Sequence, residues 1–165
     1  MRPFNCVGVG ESRALGGPEI WSGNVALAMS HVVPDLVQKV LKGQDPLHIL
    51  GSGDQVRHYT HGADLAAGIV TAMEHPDALN TDFNLSTSQG TTVRELAELI
   101  WAKINGPGVR LRIVSDEPFE HDVQRRIPST EKARRVLGFE AATTLEQAVD
   151  EVIPWIRQAV EDGTI

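Results

Sequence analysis

The sequence predicts an α/β fold in which short strands alternate with helices. Strand-like runs such as LHIL at 47–50 and DFNLS at 82–86 stand between stretches whose apolar residues recur at helical spacing. Glycines and prolines separate these stretches, and two threonine-based capping pairs mark helix starts. Strands that alternate with helices indicate an α/β or α+β domain.

The first thirty residues lack a clear period. The stretch GVGESRALGGPEIWSGN at 8–24 is rich in glycine, and we interpret it as a long ordered loop. Loops of that length are usually functional or mobile.

The first helix is expected to begin at Pro34 and to stop at Gly43, because proline favours the first turn and glycine favours helix ends. LHIL and QVRHYTH then predict short strands on either side of a glycine turn. Asp64 is expected to cap a second helix that ends before Pro76. The residues expected to face inward from that helix are Leu65, Ile69, Val70 and Met73.

The remaining elements follow the same rules. In chain order they are the DFNLS strand, a helix capped by Thr92 and Glu95, the alternating strand VRLRIV at 109–114, a short helix ending at Gly138, and a last helix capped by Thr144 and Gln147. Pro154 lies inside the last helix and predicts a kink or a break there.

Composition narrows the classes of function. The 165 residues carry a net charge of −7, which argues against nucleic acid as a main partner. An anionic ligand would need a few well-placed arginines. There is no apolar run near the ~20 residues of a membrane helix and no signal-peptide pattern. With a single cysteine, Cys6, the sequence suits a cytoplasmic protein.

No self-contained catalytic motif is present. Gly8-Val9-Gly10-Glu11-Ser12-Arg13 lacks the third glycine of a dinucleotide fingerprint and the helix that should follow. His58 and His61 are three residues apart on a predicted strand and point to opposite faces, so they are not expected to share a metal.

The whole chain nevertheless resembles a known family. The segments that carry the resemblance, in order, are RPFNCVGVG, SHVVPDLVQKVLKGQDPLHILGSGDQVRHYTHGADLAAGI, FNLS, TTVRELAELI, DVQRRIPSTEKARRVLGF and TTLEQAVDEVIPWI. They resemble the C-terminal, substrate-binding half of the extended short-chain dehydrogenase/reductases, the NAD-dependent nucleotide-sugar epimerases, 4,6-dehydratases and decarboxylases. The resemblance implies an α+β lobe (residues 1–165) whose strands and one helix complete a Rossmann-type parallel sheet.

The resemblance gives a role to the arginine inside the stretch GSGDQVRHYTHGADL. In the family an arginine after the glycine turn grips the diphosphate of the nucleotide sugar, and Arg57 occupies that place. A DxxxRxP pattern assigns the second arginine to Arg126 rather than Arg125. Guanidinium groups can bind a diphosphate bidentately from both sides. Surface ion pairs are the alternative role for both arginines.

Further positions are implied by the same resemblance. Asn5 corresponds to an asparagine near the substrate phosphates, and His31 and Val32 to the helix start that faces the diphosphate. His48 and Leu50 are expected to flank the nucleobase, while Leu47 and Ile49 face the core. The chain departs from the family pattern at Val7, Val9, Gly62 and Ser129, so its sugar pocket is expected to differ in shape from that of the family.

The family's NAD site and its Tyr/Lys catalytic pair do not match any part of this sequence. The single tyrosine, Tyr59, is followed by Ala63 where the lysine should stand. We therefore expect no catalytic residue and no cofactor bound by this chain alone, with NAD belonging to the complete family enzyme.

Three interpretations follow. The first is the nucleotide-sugar-binding portion of an epimerase or dehydratase, nearest to the dTDP- or UDP-glucose 4,6-dehydratases and inactive alone. The second is a stand-alone nucleotide-sugar-binding module. The third is a non-catalytic interaction subunit. The strands RPFN and DFNLS and the second helix lack sheet neighbours, so we expect the chain to pair with itself or with a separate N-terminal NAD-binding chain.

Overall fold

The computed structural model describes residues 1–10, 21–26, 31–118, 120 and 122–165. Within them the strands are β1 (Arg2–Pro3), β2 (Cys6–Val7), β3 (Trp21–Ser22), β4 (Val25–Ala26), β5 (Leu47–Leu50), β6 (Val56–Arg57), β7 (Thr60–His61), β8 (Asn84–Leu85), β9 (Thr91–Thr92) and β10 (Ile113–Asp116). The helices are α1 (Val32–Leu41), α2 (Gly62–Glu74), α3 (Val93–Asn105), α4 (Glu131–Leu137) and α5 (Leu145–Glu161), with a 3-10 turn at Pro76–Ala78. The predicted mixed α/β fold is confirmed.

The strands pair two by two. β1 runs parallel to β8, β2 parallel to β7, and β5 parallel to β10. β3 with β4 and β6 with β9 are antiparallel. RPFN and DFNLS, the two segments expected to lack sheet neighbours, therefore pair with each other.

The apolar residues form two buried clusters. The larger cluster joins α1 to α3, α5 and β5, and α1 is buried along nearly its whole length. The smaller cluster joins α2, β8 and α4 through residues such as Leu65, Leu85 and Leu137. The helix α1 is therefore a fixed support for the residues at its N-terminus.

Most predicted helix ends are confirmed. The start of α1 is an exception, since the helix begins at Val32, two residues before Pro34. Gly43 follows the end of α1 with φ 73°. Thr92 and Thr144 each form the predicted capping box, with Glu95 and Gln147. Gly138 ends α4 in the left-handed conformation.

The start of α2 differs from the prediction. The helix begins at Gly62 with His61 as its N-cap, so Asp64 lies in its first turn. The Asp64 carboxylate instead accepts a hydrogen bond of 2.9 Å from the Thr143 backbone N–H. A partner 79 residues away has replaced the local cap.

The inward face of α2 was also predicted wrongly in part. Val70 and Met73 are 52% and 75% exposed, while Leu65 is buried. The residues that α2 buries are Leu65, Gly68 and Ala72. A Cβ on Gly68 would lie 2.7 Å from a Phe139 ring carbon, so the absence of a side chain at Gly68 decides which face packs.

Three other expectations change. The segment VRLRIV is a strand only from Ile113, where pairing with β5 begins. QVRHYTH is interrupted between β6 and β7, since these strands pair with different partners. Pro154 lies inside α5, which continues to Glu161 without a break.

The glycine-rich loop predicted for 8–24 falls largely on residues 11–20, which lie outside the described residues. Its described part includes β3, which pairs with β4 as a hairpin. In the described ranges of the chain, no helix combines the length and apolar character needed to cross a bilayer.

Candidate functional site

A pocket of about 200 Å³ lies where β2, the N-terminus of α1 and the β6–β7 segment meet. It brings together four of the seven residues predicted to bind substrate, which are Asn5, His31, Val32 and Arg57. Cys6 and Tyr59 also line it. The four predicted residues come from three separate parts of the chain, so their meeting is a result of the fold.

Asn5 is fixed in the pocket wall by the strand segment beside it. Its φ of 34° places it in the left-handed region, which asparagine tolerates better than most residues. Its amide Nδ2 donates to the His58 carbonyl at 3.2 Å, and its own carbonyl accepts from the Thr60 N–H at 3.1 Å. These bonds hold Asn5 against the backbone on either side of Tyr59.

The N-terminus of α1 brings backbone donors to the same pocket. His31 is the N-cap and gives no side-chain hydrogen bond to the first-turn amides. The N–H groups of Val32 and Val33 have no acceptor inside the helix, because the first turn of any helix lacks them. A helix start of this kind favours an anion.

Arg57 makes an ion pair within the chain, which is the alternative role that the sequence left open for it. One of its terminal nitrogens donates to Asp122 Oδ1 at 3.0 Å and the other donates to the Val56 carbonyl at 3.0 Å. Asp122 also accepts a hydrogen bond of 2.8 Å from Gln55. A guanidinium has five N–H groups, so Arg57 keeps donors for a ligand.

Arg126 is exposed and lies on the segment beside β6. The Val56 N–H donates to the Gln124 carbonyl at 2.9 Å, and the Arg126 N–H donates to the Val56 carbonyl at 3.3 Å. Val56 and Arg125 are therefore bridge partners in a parallel register. Because side chains alternate along extended chains, continuing this register puts Arg126, and not Arg125, on the face of Arg57.

His48 and Leu50 lie apart from this pocket, on β5. The predicted alternation is confirmed for the core side, since Leu47 and Ile49 are buried. His48 Nδ1 is 2.7 Å from Asp116 Oδ1, and the β3–β4 hairpin covers its ring. A Cβ on Gly23 would lie 2.7 Å from His48 Cδ2, so only glycine fits there.

A buried polar network next to His48 was missed from the sequence. Lys39 Nζ lies 2.9 Å from Asp35 Oδ2 and donates to Ser22 Oγ at 2.9 Å and to the His48 carbonyl at 3.1 Å. Ser22 Oγ in turn donates to Asp116 at 2.7 Å. The signal in the sequence was the spacing of four between Asp35 and Lys39 in a mostly apolar helix.

The pKa values of the two carboxylates in this network are shifted in opposite directions. Burial raises the pKa of Asp35, and the charge of Lys39 only partly offsets that rise. Burial also acts to raise the pKa of Asp116, but hydrogen bonds from Ser22 and His48 lower it overall. The Ser22 hydroxyl is buried and links Lys39 to Asp116.

The two neighbouring histidines have separate partners. His58 Nδ1 lies 3.0 Å from the Thr87 carbonyl, and His61 Nε2 lies 3.1 Å from Glu151. Among the residues that the structure describes, no three metal-ligating side chains are grouped.

A second pocket of about 390 Å³ lies between the loop after β8 and α4. Its wall includes Ser86, Thr130 and the pair Arg134–Glu140, whose charged atoms are 3.8 Å apart. None of the predicted substrate-binding residues lines it.

Comparison with known proteins identifies the family of the chain. The family model of GDP-mannose 4,6 dehydratase matches residues 25–152. UDP-glucuronic acid decarboxylase 1 of Xenopus tropicalis is 30% identical over 79% of this chain and 30% of that protein. The chain spans less than half the length of the relatives it matches.

Solved structures of similar proteins share the fold. The UDP-glucose 4-epimerase of Thermotoga maritima, solved with UDP-glucose, superposes with a TM-score of 0.74 at 28% identity, over 96% of this chain and 45% of that one. The UDP-glucuronic acid 4-epimerase of Bacillus cereus, solved with UDP-glucuronic acid and NAD, gives 0.74 at 18% identity, over 95% and 44%.

The fold and these matches define the class of the chain, a mixed α/β fold shared with a nucleotide-sugar epimerase. The chain belongs to the GDP-mannose 4,6 dehydratase family of nucleotide-sugar epimerases and dehydratases. The resemblance seen in the sequence is thereby confirmed at the level of the family.

Proposed function

We propose that this chain is the nucleotide-sugar-binding portion of an NAD-dependent epimerase or dehydratase, and that the pocket around Arg57 holds the diphosphate. The observation that carries the proposal is the convergence of Asn5, His31, Val32 and Arg57 on one pocket. The family resemblance implies a place near the substrate phosphates for each of these residues.

The electrostatics of the pocket support an anionic ligand. The chain as a whole has a net charge of −7, so an anion is not attracted by a general positive field. The local donors, which are the start of α1 and the guanidinium of Arg57, have to provide the attraction. Arg126, on the neighbouring segment, would supply the second guanidinium.

The ligand we propose is a dTDP- or UDP-sugar, with the dTDP- or UDP-glucose 4,6-dehydratases as the nearest class. His48 and Leu50 would lie toward the base, although the contacts of His48 with Asp116 and the β3–β4 hairpin limit how much of its ring a base can reach. Val7 and Gly62 differ from the family pattern, so we expect the sugar pocket to differ in shape from that of the family.

The chain alone is proposed to be inactive. The stretch that starts at Gly8 lacks the third glycine of a dinucleotide fingerprint, so it does not fit NAD, which is assigned to the complete family enzyme. The one tyrosine, Tyr59, is buried and has no lysine four residues on. A separate NAD-binding chain in the cytoplasm would complete the active enzyme.

Ligand binding can be followed at Cys6, which is exposed, lines the pocket and is the single cysteine of the chain. We expect UDP-glucose or dTDP-glucose to slow alkylation of Cys6 by a maleimide and to give a calorimetric binding signal. Glucose at equal concentration is the control and should do neither. Unchanged alkylation together with no heat of binding would contradict the proposal.

The alternatives are separated by activity. If UDP-glucose is turned over only after NAD and an N-terminal chain are added, the result supports the interpretation that this chain is the substrate-binding portion of an enzyme. Binding without turnover under any such combination supports a stand-alone binding module, and absence of binding supports an interaction subunit.

A further inference from the structure

The hydroxyl of Tyr59 is buried and has no hydrogen-bond partner among the residues that the structure describes. Only 5% of the residue is exposed, and the hydroxyl oxygen itself is almost completely covered. Buried tyrosine hydroxyls usually find a partner, because an unpaired polar group in the interior is costly. An unpaired hydroxyl therefore requires an explanation.

Tyr59 lies in the wall of the proposed diphosphate pocket. It lines that pocket together with Asn5 and Arg57. The hydrogen bonds of Asn5 to the His58 carbonyl and from the Thr60 N–H fix the backbone on both sides of the ring. The ring is thus held at the pocket by contacts that do not involve its own hydroxyl.

The hydroxyl remains a donor at any physiological pH. Burial raises the pKa of Tyr59 to about 12, and the charge of nearby Arg57 opposes that rise. Phosphoryl oxygens carry lone pairs and no proton at neutral pH, so they can satisfy such a donor.

We propose that the Tyr59 hydroxyl donates a hydrogen bond to a phosphoryl oxygen of the bound nucleoside diphosphate, beside Arg57. The inference rests on the proposed function and adds a further binding residue to it. Since the hydroxyl oxygen is covered in the ligand-free chain, the contact requires the pocket wall to open locally. The unpaired hydroxyl of the free state would then be explained as a donor kept for the ligand.

The test compares the full-length chain with Tyr59→Phe, which removes the hydroxyl and keeps the ring. By calorimetry with UDP we expect about a tenfold loss of affinity, as for one lost hydrogen bond to a charged group. The melting temperature of the ligand-free variant should be unchanged or higher, because phenylalanine leaves no polar group unpaired. If the hydroxyl made a structural hydrogen bond in the free chain, its removal would instead lower the melting temperature.

A second measurement uses the fact that the chain has one tyrosine. With ¹³C at the ring carbon that bears the hydroxyl, we expect UDP to shift this resonance in the unmodified chain. Thr92→Ala, which removes a capping hydroxyl on α3, is the control for general destabilisation and should leave the affinity for UDP unchanged.

The outcomes separate this inference from the proposed function. If Arg57→Ala weakens UDP binding while Tyr59→Phe does not, the inference is overturned and the proposed function stands. A lower melting temperature for ligand-free Tyr59→Phe, or an unshifted resonance at saturating UDP, also overturns the inference. If the unmodified chain does not bind UDP, both are overturned.

Discussion

Arg57 donates a hydrogen bond to Asp122 at 3.0 Å, so the arginine proposed to grip a diphosphate already has a carboxylate partner in the ligand-free chain. Gln55 donates to the other oxygen of the same carboxylate at 2.8 Å. A diphosphate would therefore share Arg57 with Asp122 or displace it. The carboxylate also keeps the guanidinium at the pocket when no ligand is bound.

The first prediction concerns the two arginines. Arg57→Ala should weaken UDP-glucose binding by about ten- to a hundredfold, because a charge-assisted hydrogen bond contributes about 1.5–3 kcal/mol. Arg126→Ala should also weaken binding, as measured by titration calorimetry. Arg125→Ala is the matched control and should have much less effect, because Arg125 shares its register with Val56. A larger loss of affinity for Arg125→Ala than for Arg126→Ala would show that the DxxxRxP pattern assigns the wrong arginine.

Local signals in the sequence were sufficient for most helix ends. The Thr92 and Thr144 capping boxes are set by residues three positions apart, so both were predictable. The buried face of α2 could not be predicted in this way, because it depends on the ring of Phe139, which packs where Gly68 lacks a side chain. Asp64 was mistaken for a cap for the same reason, since its partner Thr143 is distant in sequence.

The candidate site also has features that the sequence predicts and features that it does not. Asn5, His31, Val32 and Arg57 could be assigned from the family resemblance, and the fold brings them to one pocket. The pairing of Arg57 with Asp122 links residues 65 apart and has no local signature.

The buried lysine gives the second prediction. Lys39→Met should lower the free energy of unfolding by about 3–5 kcal/mol, because it leaves Asp35 buried without its counter-ion. Urea denaturation followed by circular dichroism measures this change. Lys103→Met is the matched control, since Lys103 pairs with the largely exposed Asp150 and its loss should cost under about 1 kcal/mol. Equal losses for the two variants would contradict a structural role for the Lys39 network.

The third prediction is a pH dependence at the alkaline end. The pKa of Tyr59 is about 12 in the folded chain and near 10 when unfolded, so the folded state holds its proton more tightly. The resulting stabilisation is complete below pH 10 and is lost as the pH rises toward 12, by roughly 2 kcal/mol. Denaturation series at pH 9 and pH 11.5 should show a smaller loss for Tyr59→Phe than for the unmodified chain. The same loss in both would assign the alkaline instability to other groups.

The last prediction is that the chain does not persist as an isolated monomer. Val70, Met73 and Leu79 are 52%, 75% and 80% exposed along α2 and the turn that follows it. In the described part of the chain β1 pairs with β8 alone, which leaves its other edge open. Covering apolar side chains of this size contributes about 1.5–3 kcal/mol each, so a partner is strongly favoured. Sedimentation velocity at micromolar concentration should show dimers or larger species.

A paired substitution locates the contact. Val70→Glu with Met73→Lys places opposite charges on the exposed side of α2 and should shift the population toward monomer, because both side chains would have to be desolvated on association. Val109→Glu, at a residue that is 50% exposed near the end of α3, is the control and should leave association unchanged. A separate N-terminal chain that binds the same surface should likewise reduce self-association. If the unmodified chain sediments as a monomer and melts in one sharp transition, the exposed face of α2 is tolerated in water and the prediction is wrong.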